Sequence, residues 1–193
     1  LEPRRWSHVP VDSNYFSLAY AKTDGDIFFD PVLKIDDGTL AQHTAIASYL
    51  RSFDFLGRTA RFDIRLPYQF ARWEGLLDGE PASVEREGLG DPRLRLSVNF
   101  LGAPALREEA FRAYRRTHTT NTIAGAALAV TLPLGYYRED KLLNLGANRF
   151  VIRPQIGVVH TRGPWSCELN ASVVSFTANN AFFNGSEREQ DPL

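Results

Sequence analysis

The stretch Ala60-Arg61-Phe62-Asp63-Ile64-Arg65-Leu66-Pro67-Tyr68 alternates without a break, with Ala60, Phe62, Ile64, Leu66 and Tyr68 on one parity and Arg61, Asp63, Arg65 and Pro67 on the other. Successive side chains of an extended strand point to opposite faces, so this segment predicts a strand with one apolar and one charged face. Leu94, Leu96, Val98 and Phe100 repeat the pattern against Arg93, Arg95, Ser97 and Asn99. Phe150, Ile152, Pro154, Ile156 and Val158 do so against Val151, Arg153, Gln155 and Gly157. An all-β, antiparallel up-and-down sheet is the expected fold class.

Weaker segments fill the gaps. Phe16, Leu18 and Tyr20 alternate with Ser17 and Ala19, Leu128, Val130 and Leu132 alternate with Ala129 and Thr131, and residues 42–52 are expected to be extended with ambiguous faces. A strand from Trp165 to about Phe176 sets Glu168 and Asn170 opposite Cys167, Leu169 and Ala171. Seven strands result. One helix is predicted over Pro104–Arg116, with Glu108 and Glu109 early and Arg115 and Arg116 late, as the helix dipole prefers, and with Leu106, Ala110 and Tyr114 as its apolar stripe.

The connections alternate in length. Long ones are expected over 24–40, 69–88 and 133–148, and short turns near Asp54–Gly57 and over Thr161-Arg162-Gly163-Pro164. Long loops at one end and short turns at the other is the pattern of outer-membrane barrels, with the helical link as an exception. Tyr68, Phe70, Trp73, Tyr136, Tyr137 and Phe150 fall near the long loops, and Phe53, Phe55, Phe100 and Trp165 near the short turns, as two aromatic girdles would.

Composition sets the outer bounds. The chain has 193 residues, 44% hydrophobic and 23% charged, with a net charge of −1, and a single β-barrel domain over 1–193 is expected. That charge balance excludes the basic excess on which sequence-independent nucleic-acid binding depends. Cys167 is the one cysteine, so neither a disulfide framework nor a cysteine-rich zinc site is available. The absence of Met and the opening Leu1-Glu2-Pro3 suggest that an N-terminal piece has been removed or was not included. The apolar run Ile123–Val130 is about half of the ~18 residues of a spanning helix. A spanning strand needs only about 9–11 residues, so a membrane barrel stays open.

Candidate chemistries are few. Gly88-Leu89-Gly90-Asp91-Pro92 precedes a strand rather than a helix, so it is expected to shape the entry to that strand and not to cradle phosphate. Asp24, Asp26, Asp30, Asp36 and Asp37 lack the spacing and closing Glu of a calcium loop and read as a solvated acidic loop. His43, His118 and His160 are possible bases with no nucleophile motif nearby, and Cys167 lies on an apolar face where it is inert. No catalytic residue, cofactor or metal is expected.

Alternation fits two opposite barrels. A soluble calycin-like barrel that binds a small ligand buries the apolar face and exposes the arginines; a membrane barrel turns the apolar face to lipid and the arginines to its lumen. A membrane-barrel hydrolase ranks third.

A family resemblance bears on that choice. The run Gly88-Leu89-Gly90-Asp91-Pro92-Arg93-Leu94-Arg95-Leu96-Ser97-Val98-Asn99-Phe100-Leu101-Gly102-Ala103-Pro104-Ala105-Leu106 resembles the phenol-degradation meta-pathway family of Gram-negative outer-membrane proteins. So do Val130-Thr131-Leu132-Pro133-Leu134-Gly135, Asp140-Lys141-Leu142, Asn148-Arg149 and Arg153-Pro154-Gln155-Ile156-Gly157. The resemblance runs from about Tyr15 to the end. It implies a barrel of about a dozen strands in the outer membrane, passing small hydrophobic or aromatic compounds passively, with the bilayer as partner. Against that pattern the chain stops at Gln190-Asp191-Pro192-Leu193, where another strand would begin, so about 7–8 of about 12 strands are expected, with the C-terminal strands missing.

Three lysines among 22 basic residues leave 19 arginines. Arg61, Arg65, Arg93, Arg95 and Arg153 fall on polar strand faces, with Asp63 and Glu168 as counter-charges and Asn99, Gln155 and Asn170 on the same faces. These ten are the candidate lumen residues, the arginines forming a ladder that sets the pore's charge.

Overall fold

The computed structural model describes residues 5–28, 35–183, 186–188 and 191–192. Its strands are β1 (Asn14–Ile27), β2 (Ile35–Phe55), β3 (Arg58–Leu77), β4 (Glu80–Leu89), β5 (Arg93–Leu101), β6 (Thr120–Thr131), β7 (Val151–Arg162), β8 (Trp165–Ser172) and β9 (Ser175–Phe176). A separate hairpin joins β10 (Asn179–Phe182) to β11 (Ser186–Arg188), and one helix, α1 (Glu108–Thr117), links β5 to β6. The large sheet runs β1-β2-β3-β5-β6-β7-β8, antiparallel throughout, with β4 also on β3 and β9 also on β7. It curls into a half-barrel whose edge strands β1 and β8 are not paired with each other among the described residues.

The polar parity of the strands lies on the concave face, and in the central strands β3 and β5 it is covered. Arg61, Asp63 and Asn99 are 7%, 5% and 1% exposed, whereas Leu18, Ile156 and Leu169 on the convex face are 87%, 56% and 71% exposed. This burial is the reverse of a soluble barrel. Among the described residues the buried hydrophobic cluster, Trp6, Ala103, Ile123, Ala127 and Val159, also lies on the concave side.

Three expectations are corrected. The connection over 69–88 is not a loop: β3 continues to Leu77 and returns as β4. Asp78 and Gly79, at φ 51 and 83, make the two-residue turn that matches strand twist, and Leu56-Gly57 at φ 52 and 74 does the same between β2 and β3. Likewise β1 and β2 extend into the 24–40 segment, where Asp24 and Asp26 pair with Ala41 and Thr39 while Asp30 lies outside the described residues. The helix begins at Glu108 rather than Pro104, because Pro104 bridges to Arg58 at the sheet edge.

β4 and β5 occupy successive lengths of the same edge of β3, Tyr68 opposite Leu89 and Arg65 opposite Arg93. They amount to one long strand broken at Gly90-Asp91-Pro92. At the break the Asp91 carboxylate accepts the Gly135 amide at 2.9 Å and the Ala147 amide at 2.7 Å, and so fastens the 133–148 loop to the wall. A Cβ on Gly135 would stand 2.7 Å from the Asp91 backbone nitrogen, so the loop approaches as glycine alone permits.

Trp73 shares the concave parity of Arg61 and Asp63 and is 8% exposed, so it does not belong to an outer girdle. Tyr137 is also half-buried, its hydroxyl donating to Ala181 O of β10 at 2.9 Å.

Candidate functional site

The register lays the concave face out in rows. Ser48, Arg65, Arg93, Thr131 and Val151 lie side by side across five strands; the next row is Leu50, Asp63, Arg95, Ala129 and Arg153. Then come Ser52, Arg61, Ser97, Ala127, Gln155 and Ser172. Toward the short turns Gly125, Gly157 and Asn170 share a row, with Glu168 one step beyond beside Val159. All ten candidate lumen residues therefore sit on this face. Arg95 Nη1 is 3.6 Å from Asp63 Oδ2, both side chains under one-tenth exposed, and the Arg153 guanidinium donates to Ser172 Oγ at 3.0 Å.

Sequence reasoning missed the segment preceding β1. Residues 5–13 form a strap that crosses the concave face, with Trp6 fully buried. Gly125 and Gly157 stand directly opposite each other and leave a flat seat for the indole. A Cβ on Gly125 would stand 2.5 Å from Trp6 Cε3, and one on Gly157 would collide with Trp6 Nε1. The indole N–H donates to Asn170 Oδ1, Asn99 Nδ2 donates to Trp6 O at 3.2 Å, and the Arg95 guanidinium carbon lies 5.7 Å from the ring centroid. Arg5 donates to Gln155, and Arg61 donates to Arg5 O. Six of the ten candidates, Arg61, Asp63, Arg95, Asn99, Gln155 and Asn170, thus touch the strap or support a residue that does.

Further along, Ser52 Oγ donates to Pro10 O at 2.6 Å and Val11 N donates to Leu106 O at 2.9 Å. His8 Nε2 donates to Pro104 O at 2.8 Å, and its ring packs edge-on to Phe111 at 4.8 Å and Tyr114 at 5.5 Å. Helix α1 is thereby held at the short-turn end against the strap. Burial pushes the His8 imidazole below its ordinary value of 6.5, opposed by the Pro104 hydrogen bond and aided by the Arg115 charge.

The three histidines considered as bases are dispersed. His43 and His160 lie on the convex parity, the first against the Tyr20 hydroxyl and the second 2.8 Å from Thr122 Oγ1. His118 stacks on Tyr114 at 3.8 Å. Cys167 is exposed on the convex face. Among the described residues no cluster of three or more His, Cys, Asp or Glu side chains is placed to hold a metal.

Residues 22–191 match the model of the family described as "Putative MetA-pathway of phenol degradation". The chain belongs to this family. The family match covers all ten lumen candidates and the Asp91 clamp but starts after the strap. The fold is shared with a crystal structure of an outer-membrane channel from Pseudomonas putida, at a TM-score of 0.68 and 21% identity over 100% of this chain and 67% of that one. No curated protein sequence matches the chain significantly.

Proposed function

We propose that the chain builds the wall of a single outer-membrane β-barrel domain of a Gram-negative bacterium, through which small aromatic or other hydrophobic compounds pass without covalent chemistry or cofactor. The inverted burial carries this reading: apolar side chains of seven adjacent strand positions stand exposed on the convex face, suited to hydrocarbon, while arginines and amides are sheltered on the concave one. Exposed apolar surface of this extent is unstable in water. The long-loop end is then extracellular and the α1 end periplasmic. Unpaired edges cost several kcal/mol per buried backbone group in lipid, so β1 and β8 need further strands to close the barrel.

The concave residues line the lumen. Arg61, Arg65, Arg93, Arg95 and Arg153 give it positive charge, Asp63 and Glu168 offset part of it, and Asn99, Gln155 and Asn170 hold the strap that narrows it. Guanidinium groups are attracted to aromatic faces, as Arg95 lies over the Trp6 ring at 5.7 Å from its centroid, which favours aromatic over aliphatic solutes along such a wall. Liposomes containing the full-length protein should swell faster with small aromatic solutes than with sugars of similar size; equal exclusion of both overturns the channel reading. In planar bilayers, Arg93→Glu with Arg95→Glu should shift ion selectivity toward cations, and unchanged selectivity removes the arginines' role in it.

A further inference from the structure

A cavity of ≈ 520 Å³ opens at the short-turn end between α1, the strap, the start of β6, the end of β7 and the start of β8. That volume falls within the range of small-ligand sites, and of its lining only Glu168 has a part in the channel reading. We propose that it binds a small aromatic carboxylate.

The lining states the chemistry. Its floor is Ile123 and Val159, both nearly inaccessible, which suits an apolar ring. One wall is the parallel pair Tyr114–His118, 3.8 Å apart and inclined by 12°, which offers a planar stacking surface. Arg115 lies on the same wall and supplies a planar cation able to take a carboxylate through two N–H groups.

Two features favour an anion over a cation. Among the described residues Arg115 is in no ion pair, its guanidinium carbon lying 5.9 Å from the Phe111 ring centroid, so the lining's cation is available to a ligand. Glu168, the acid of the opposite wall, is already engaged by Asn170, whose Nδ2 donates to Glu168 Oε1 at 3.0 Å. Asn170 also accepts the Trp6 indole N–H. The strap contributes His8 to the cavity itself, so the site is complete only with the strap seated.

How a ligand reaches this place rests on the channel reading; the binding does not. Equilibrium dialysis of detergent-solubilised full-length protein against labelled benzoate, phenol and benzylamine tests it. Benzoate should bind more tightly than phenol, and benzylamine least. Arg115→Gln should weaken benzoate by about tenfold while leaving phenol near the original value, as loss of one charge-assisted contact requires, and Arg115→Lys should restore part of the loss. Retained heat-modifiability on a gel shows that each variant is folded. Benzylamine binding as well as benzoate, or benzoate binding indifferent to Arg115→Gln, overturns the proposal. Aromatic entry into liposomes without benzoate binding overturns this site and leaves the channel, whereas benzoate binding without entry does the reverse.

Discussion

The two halves of the concave face are built on the same strands and do opposite things. Toward the long loops the rows are arginine-rich: Arg65 stands directly opposite Arg93, and Arg95 and Arg153 flank Ala129. Like charges opposed across a strand pair repel, and long side chains fill the space. Toward the short turns the same register positions hold Gly125 and Gly157, and the wall accepts an indole where side chains are missing. One half stays polar by what it adds, and the other closes by what it omits. Which half admits the strap is decided by two Cβ atoms.

The largest expected effect follows from filling that seat. Gly157→Leu should expel Trp6 at a cost of about 3–5 kcal/mol to strap seating, the range for losing a buried Trp. The sheet itself should survive, because position 157 keeps its backbone pairing. In a background of Trp73→Phe and Trp165→Phe, the emission of Trp6 should move to the red, and conductance should rise in planar bilayers. If Trp6 stays buried, the glycine pair is not what distinguishes the two halves.

A smaller effect is expected in the long-loop half, where closure depends on one carboxylate. Asp91→Ala leaves the Gly135 and Ala147 amides without their acceptor, worth about 1–3 kcal/mol for the clamp. Hydrogen exchange of those two amides should accelerate, and protease should cut first within 133–148. Trp6 emission should not change, because the clamp and the seat share no side chain. A coupled response would mean that the two halves move together.

How much of this was legible follows from the range of each signal. The division of Phe62, Leu96, Ile156 and their polar neighbours between two faces is a local property of a strand and reads directly from the sequence; which face turns inward is a property of the whole sheet and does not. The turn at Asp78-Gly79 was also local and was missed: an Asp-Gly pair between two extended runs is a strong hairpin signal, and it would have shown that 69–88 is strand. The face of Trp73 was available from the same parity. The strap was not legible, since Trp6 is recognised by residues as far as 164 positions away and nothing in its neighbourhood is periodic. A faint signal existed in Gly125 and Gly157, two glycines at polar-parity positions of neighbouring strands. The Asp91 clamp was hidden for a different reason. Its partners are backbone amides, which carry no residue-type signature.

The smallest effect sharpens the comparison by pH, because the short-turn half holds its strap partly through one titratable ring. His8 Nε2 is bonded to Pro104 O, and Nδ1 is buried with no hydrogen-bond partner among the described residues. A second proton would have no acceptor there and would add a cation beside Arg115, with Tyr114 and Phe111 against the ring and Glu168 across the cavity. The seated imidazole titrates below 6.5 and the released one near it. Seating therefore contributes in full above about pH 6.5 and loses its contribution as pH falls through the lowered value. Trp6 emission, followed from about pH 8 to about pH 5, should move to the red only at the acid end, and His8→Gln should flatten that response while leaving the Asp91 clamp's hydrogen exchange as it was. A red shift that survives His8→Gln would take the acid sensitivity away from the strap's own ring and would tie the short-turn half to the charged half from which it otherwise stands apart.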